Sequence, residues 1–301
     1  MRAVLHSLLL LALATVASSL LARESLTLRK IKETGVVSIG YRDGSIPFSY
    51  LDERQRPIGY VIDICQHIVG AVKQRLQLEE IQIKYTPVNS ATRIPMVAND
   101  TIDLECGTTS NTMERQRHVA FSITTFVAAS RFAAHRSAPI EYLEDLRGKT
   151  VVSTAGTTSI ALLVGLNASQ GLAMNILAAK DHQRSFATVE TNRAAAFAMD
   201  DVLLFGLIAA AKDPSSYVVS GPALSVEPYG IMLRKGDQEF KALVDATITS
   251  LFKSGEITAI YHKWFETPIP VYQVNLALPM SPIMKSIIAS PTDSGDPLHY
   301  R

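Results

Sequence analysis

The chain has 301 residues, with 29 Lys and Arg against 28 Asp and Glu, for a formal net charge of +1. That balance excludes the strongly basic surface that nucleic acid or an anionic membrane would call for. An aromatic share of 7% and a charged share of 19% exclude a disordered chain, and the length suffices for two lobes of ordinary size.

Met1 to Ala22 reads as a secretory signal. Arg2 supplies the positive end, an apolar run fills Ala3 to Ala17, and Ala17, Ser18, Ser19 and Ala22 offer small residues for cleavage. The run is short for a bilayer span, and no later segment is long and apolar enough to be one. An exported, soluble mature protein is expected. Only Cys65 and Cys106 are present; a single bridge and two buried thiols both remain open, since sequence does not set the geometry.

Ser25 to Gly35 predicts a short helix stopped by Gly35, and Val36 to Gly40 a buried strand followed by the turn Tyr41-Arg42-Asp43-Gly44. Val61 to Val72 carries apolar residues at helical spacing, and Ile81 to Tyr85 alternates as a strand. Ser90 is read as the cap of a helix holding Arg93 in its first turn. Thr101 to Leu104 is read as a strand broken by Gly107, and Met113 to Val119 as a helical segment carrying Arg115. Free N–H groups and the positive end of a helix dipole make such a turn an anion cradle, to which Arg115 adds a bidentate fork.

Phe121 to Ala129 is extended and apolar enough to leave this lobe. A second α/β unit follows: a short helix at Leu143 to Gly148, a strand from Thr150, the turn Gly156-Thr157-Thr158-Ser159 and a helix at Ile160 to Leu166. Strands follow at Asn175 to Ala178 and Ala195 to Met199. Asp200 and Asp201 end the latter, where either could be a ligand group or a helix cap. Tyr217 to Ser220 and Gly230 to Leu233 read as strands, Phe240 to Phe252 and Ile257 to Phe265 as helices. Pro268 to Arg301 is expected to wrap the surface, with a helix near Met284 to Ile288 and a loose end.

The strand, glycine turn, hydroxyl and helix device thus occurs once per half. Two such lobes facing each other would enclose a small anion outside the strand ends. Arg42, Arg93, Arg115 and His182 are the positive candidates and Asp200 the negative one, a set suited to a ligand with two carboxylates and an ammonium. No nucleophile elbow, phosphate loop, metalloprotease helix or paired-cysteine motif is present, and the histidines lack metal-ligand spacing, so no cofactor and no metal are expected. Glu105, before Cys106-Gly107, is read as a structural carboxylate paired within the first lobe, with a buried general acid as the alternative.

Tyr41-Arg42-Asp43 with Pro47-Phe48, Gly59-Tyr60-Val61-Ile62-Asp63, Glu105 to Asn111 with Glu114-Arg115, and Tyr261-His262-Lys263-Trp264-Phe265 together resemble the periplasmic polar amino acid-binding proteins of ABC importers. Asn89 to Pro95, Gly156 to Ser159, Ala179 to His182 and Met199-Asp200-Asp201 narrow the resemblance to the glutamate/aspartate-binding branch, over about Leu28 to Met284.

The resemblance implies a two-lobe type II periplasmic-binding fold, each lobe a mostly parallel α/β sheet flanked by helices and joined to the other by two hinge strands. Lobe 1 is expected at 23–127 plus 232–301 and lobe 2 at 128–231. It implies that Arg115 grips an α-carboxylate with help from Ser110, Thr157 and Thr158. Asp200, with Thr108 nearby, takes the ammonium, and Arg42, Ser90, Arg93 and His182 hold a side-chain carboxylate. The implied partners are L-glutamate or L-aspartate and the permease of an ABC importer, with the protein a periplasmic monomer and not an enzyme. A glutamine binder, a receptor sensor domain and an exported dehydratase-like enzyme on the same fold stand as alternatives.

Overall fold

The computed structural model describes residues 24–300. The expected signal at 1–22 lies outside the described residues.

The first lobe opens with α1 (Leu26–Thr34), which Gly35 ends in the left-handed conformation at φ 68°, and runs into β1 (Val36–Tyr41). Three short strands, β2 (Gly44–Ser45), β3 (Ser49–Leu51) and β4 (Pro57–Ile58), form a small antiparallel sheet before α2 (Tyr60–Leu76). Then come β5 (Gln82–Pro87), α3 (Arg93–Ala98), β6 (Leu104–Cys106) and β7 (Ala120–Phe121). The chain crosses to the second lobe through β8 (Phe126–Ala128) and continues into β9 (Ser130–His135).

The second lobe holds β10 (Thr150–Thr154), α4 (Thr158–Gln170), β11 (Asn175–Ala179), α5 (His182–Glu190), β12 (Ala196–Asp200), α6 (Asp201–Ala209) and β13 (Tyr217–Ser220). β14 (Glu227–Tyr229) brings the chain back to β15 (Met232–Leu233), α7 (Gln238–Ser254), α8 (Glu256–Phe265) and α9 (Pro282–Ala289).

The two large sheets have matching layouts, β5-β1-β6-β15-β7 and β11-β10-β12-β9-β13. In each, three strands run parallel, and the strand entering just after a crossing (β15 or β9) pairs antiparallel with the third of them. The crossings themselves, β8 and β14, pair antiparallel with each other. Aromatic rings bed this hinge: Phe48 meets Phe126 at 4.9 Å and Tyr229 at 5.5 Å between centroids, both edge to face. All six parallel strands end toward the space between the lobes, where open α/β sheets carry their ligands.

Four features differ from the expectations or decide between them. The strand near 101–104 is β6, three residues later than its alternation suggests in starting at Leu104. The Asn99 carboxamide binds the Thr101 N–H and hydroxyl, and the Asp103 carboxylate takes the Ser38 N–H at 2.8 Å, so local side-chain bonds displace the ladder there. Met113 to Val119 yields only the single 3₁₀ turn Arg115–Arg117. None of the three is buried and Met113 is 65% exposed, so no apolar stripe sustains a helix.

The end of the chain is not loose. The buried Tyr300 hydroxyl bonds Thr124 Oγ1 at 2.7 Å and the Ser294 carbonyl at 2.8 Å. Cys65 of α2 and Cys106 of β6 are joined as a disulfide.

Candidate functional site

The loop after each parallel strand contributes a polar side chain to the cleft. Arg42 follows β1 and is fixed by its N–H, which donates to Ser49 Oγ at 2.9 Å. The residue is 3% exposed, and Nε and Nη1 have no partner among the described residues. After β5, Asn89 does the work expected of Ser90. The Asn89 carboxamide oxygen accepts from the N–H groups of Ala91 and Thr92, while Thr92 occupies the cap position. Ser90 Oγ is left buried and unpaired.

Arg93 opens α3 at 2% exposure. Its Nη1 donates to the Thr108 carbonyl at 2.9 Å and to Thr109 Oγ1, while Nε is unpaired. Thr108, past β6, also keeps a buried hydroxyl without a partner. Arg115 is half-buried. Its Nη1 donates to the Ser110 carbonyl at 2.8 Å and its Nη2 reaches the Gly156 carbonyl of the other lobe at 3.4 Å. With only one 3₁₀ turn around it, Arg115 acts as a charge rather than with a helix dipole.

The second lobe answers from the ends of β10, β11 and β12. Thr157 caps α4: its hydroxyl donates to the Thr154 carbonyl at 2.7 Å and its oxygen accepts from the Ile160 N–H at 3.2 Å. The Thr158 hydroxyl donates to Glu227 at 2.8 Å. Both hydroxyls are therefore committed within the protein, and what this turn offers a ligand is the first-turn N–H groups of a thirteen-residue helix.

His182 starts α5 and is 2% exposed, with Nδ1 2.9 Å from Thr154 Oγ1 and Nε2 3.3 Å from Arg42 Nη2. Burial, then Arg42 and Arg93, hold its pKa well below the usual imidazole range.

Asp200, 1% exposed, ends β12. It accepts from the Tyr229 hydroxyl and from Ser159 Oγ at 3.3 Å, and it makes no cap bond to α6. Asp201 takes the capping work instead, accepting from the N–H groups of Val202 and Ala129. Burial and the nearby Glu227 push the Asp200 carboxyl up from the ordinary carboxylate range, against the Tyr229 and Ser159 bonds. Burial and the neighbouring Arg93 bring Arg42 and Arg115 down to about 10, which leaves both charged at neutral pH.

The ten expected residues thus lie at the strand ends, helix starts and connecting loops that face each other between the lobes. Two members were not expected: Tyr229, which holds Asp200, and Glu227, which holds Thr158; Glu105, read as a structural carboxylate of the first lobe, pairs with Thr109 behind Arg93. A carboxylate beside an apolar strand, as in Glu227-Pro228-Tyr229-Gly230, was the available signal for Tyr229 and Glu227.

Residues 37–267 match the model for bacterial extracellular solute-binding proteins, family 3. The L-glutamate/L-aspartate-binding protein of Pseudomonas aeruginosa is 52% identical over 268 residues, covering 89% of each chain. The glutamate/aspartate import solute-binding protein of Escherichia coli is 45% identical over 267 residues, covering 89% of this chain and 88% of that one. Among solved structures, a mutant of the Thermotoga maritima protein ArgBP superposes with a TM-score of 0.70 at 26% identity, over 80% of this chain and 100% of the other.

Proposed function

We propose, from the premise that the chain belongs to the bacterial extracellular solute-binding proteins of family 3, that it captures L-glutamate or L-aspartate between its lobes. It is an exported monomer that hands this ligand, unaltered, to the membrane permease of an ABC importer. The names of the relatives from Pseudomonas aeruginosa and Escherichia coli support the ligand class.

The observation that carries the reading is the set of buried donors without a partner among the described residues on one side of the cleft: Arg42 Nε and Nη1, Arg93 Nε, and the Ser90 hydroxyl. Each buried polar group without a partner costs about 1–3 kcal/mol, so a ligand carboxylate placed among them recovers a large binding energy. Arg42, Ser90 and Arg93 form the clamp for the side-chain carboxylate. His182 accepts from Arg42 and orients it. Arg115, Ser110 and the N–H groups at Thr157 and Thr158 take the α-carboxylate. Asp200, with Thr108, takes the ammonium.

Capture draws the lobes together about β8 and β14, the hinge closure known for periplasmic binding proteins. A glutamine side chain leaves the Arg42 and Arg93 guanidiniums one carboxylate short, which disfavours the neutral-ligand alternative.

Native mass spectrometry of the purified protein tests the reading. Retention of a mass matching glutamate or aspartate is expected; retention of a neutral or cationic amino acid contradicts it.

A further inference from the structure

Behind the clamp lies a fully buried carboxylate. Glu105 is the middle residue of β6, paired with Gly40 of β1 and Met232 of β15, and is 0% exposed. The next residue, Cys106, is tied to Cys65 of α2, which fixes the strand end. Glu105 Oε2 accepts from Thr109 Oγ1 at 2.7 Å, and that same hydroxyl accepts from Arg93 Nη1. Oε1 has no partner. It presses on Gly107, where a Cβ would stand 2.1 Å from it and 2.9 Å from Arg42 Cγ. The carboxylate thus touches the relay to one clamp arginine and lies beside the stem of the other.

The third arginine on this side of the cleft, Arg115, lies beside the Ser110 carbonyl and is assigned to the α-carboxylate. Within the side-chain clamp, the two guanidiniums of Arg42 and Arg93 against Glu105 leave a single net positive charge. That is the complement of one ligand carboxylate and one charge short of a dianion. We propose that Glu105 is a specificity-determining residue: with Thr109 it positions Arg93, and its charge tunes the Arg42–Arg93 clamp to a singly charged terminal group, rejecting doubly charged ones. This rests on the reading of Arg42 and Arg93 as the side-chain clamp. Charge at a buried site without a matching partner is disfavoured strongly enough to discriminate ligands of one shape.

The test uses two amino acids whose side chains end in tetrahedral anions of similar shape, L-homocysteate (a sulfonate, one charge) and L-2-amino-4-phosphonobutyrate (a phosphonate, two charges at mildly alkaline pH). Calorimetry of the mature protein should find the sulfonate bound at least about tenfold more tightly than the phosphonate. Glu105→Gln keeps the shape and an acceptor for Thr109 but removes the charge, and should narrow that ratio by about tenfold. Thr109→Val breaks the relay and keeps the charge, so it should weaken both analogues and L-glutamate while leaving the ratio in place.

Wild-type protein that takes the phosphonate as tightly as the sulfonate overturns the inference, and so does an unchanged ratio in a folded Glu105→Gln. If that variant does not fold, the wild-type ratio decides alone. Failure of the wild type to bind either L-glutamate or L-aspartate in the same titrations overturns the proposed ligand, and the inference with it.

Discussion

Arg42 Nη2 lies 3.3 Å from His182 Nε2, a buried contact between residues 140 apart in sequence and on opposite lobes. Because a guanidinium can only donate, His182 Nε2 accepts, the ring is neutral, and Nδ1 carries the proton toward Thr154 Oγ1. The same pair ties one lobe's clamp arginine to the first residue of α5 in the other.

A neutral, buried His182 makes stability depend on pH. Its folded pKa lies well below the usual imidazole range, so as pH falls below about 6.5 the unfolded chain takes up a proton that the folded chain refuses. Stability should fall with pH in that window and gain nothing from this group above it. Asp200, raised in the folded state, contributes in the opposite direction, so wild type and His182→Gln are compared at each pH. Urea unfolding should show a shallower decline in the variant between about pH 7 and pH 5. Parallel profiles would refute a neutral buried imidazole.

Asp200 should lose a proton when the ligand arrives. Its carboxyl is held above the ordinary carboxylate range by burial and Glu227, and an ammonium placed beside it favours ionisation. Affinity for L-glutamate should therefore rise with pH from the ordinary carboxylate range up through the raised value. The binding heat near neutral pH should vary with the ionisation enthalpy of the buffer. Asp200→Asn should abolish that variation and weaken L-glutamate by about a hundredfold, since an unpaired buried charge costs 3–5 kcal/mol before partial relief, while weakening glutarate much less. An equal loss for both ligands removes the ammonium role.

The fold was legible because the apolar runs at β1, β6 and β10 are bounded by glycines and hydroxyls at their carboxyl ends, and that punctuation also marks the site loops, while β12 ends in the paired acids Asp200 and Asp201. Arg42 and Asp200 stood out as charges at the ends of buried strands, and Arg93 as a charge at a helix start. Which neighbour does the local work was not legible. Ser90 and Asn89 are both good caps, as are Asp200 and Asp201, and only side-chain geometry shows that Asn89 and Asp201 hold the backbone while Ser90 and Asp200 stay clear of it. The partner of Asp200, Tyr229, comes from the hinge, 29 residues on. The Cys65–Cys106 bridge needed the packing of α2 on β6, and the anchoring of Tyr300 is a long-range contact that a Pro- and Ser-rich composition hides.

Gly206 should be a place where stability and affinity part. It lies in α6 of the second lobe, and a Cβ there would stand 2.3 Å from the Ile46 carbonyl oxygen of the first. Gly206→Ala favours the helix by about 1 kcal/mol yet props the lobes apart. The ligand-free variant should melt at or above the wild-type temperature and bind L-glutamate at least about tenfold more weakly. Unchanged affinity would show that the lobes do not meet there in the bound state.

The disulfide should matter for stability before it matters for binding. It closes a loop with a sequence separation of 41, for which loop-closure entropy gives about 4 kcal/mol. The double variant Cys65→Ser with Cys106→Ser should lose stability on that scale in urea, and the fraction still folded should bind L-glutamate. A loss under about 1 kcal/mol would place the chain-entropy effect elsewhere.

The most direct measurement is calorimetric titration of ligand-stripped wild type and Arg93→Ala with L-glutamate, L-aspartate and L-glutamine. Wild type should bind an acidic amino acid at a single site, with L-glutamine at least about tenfold weaker, and Arg93→Ala should lose at least about tenfold toward the acidic ligand. Equal affinity for L-glutamine, or an Arg93→Ala variant that binds L-glutamate as tightly as wild type, would contradict a cleft built to hold a side-chain carboxylate.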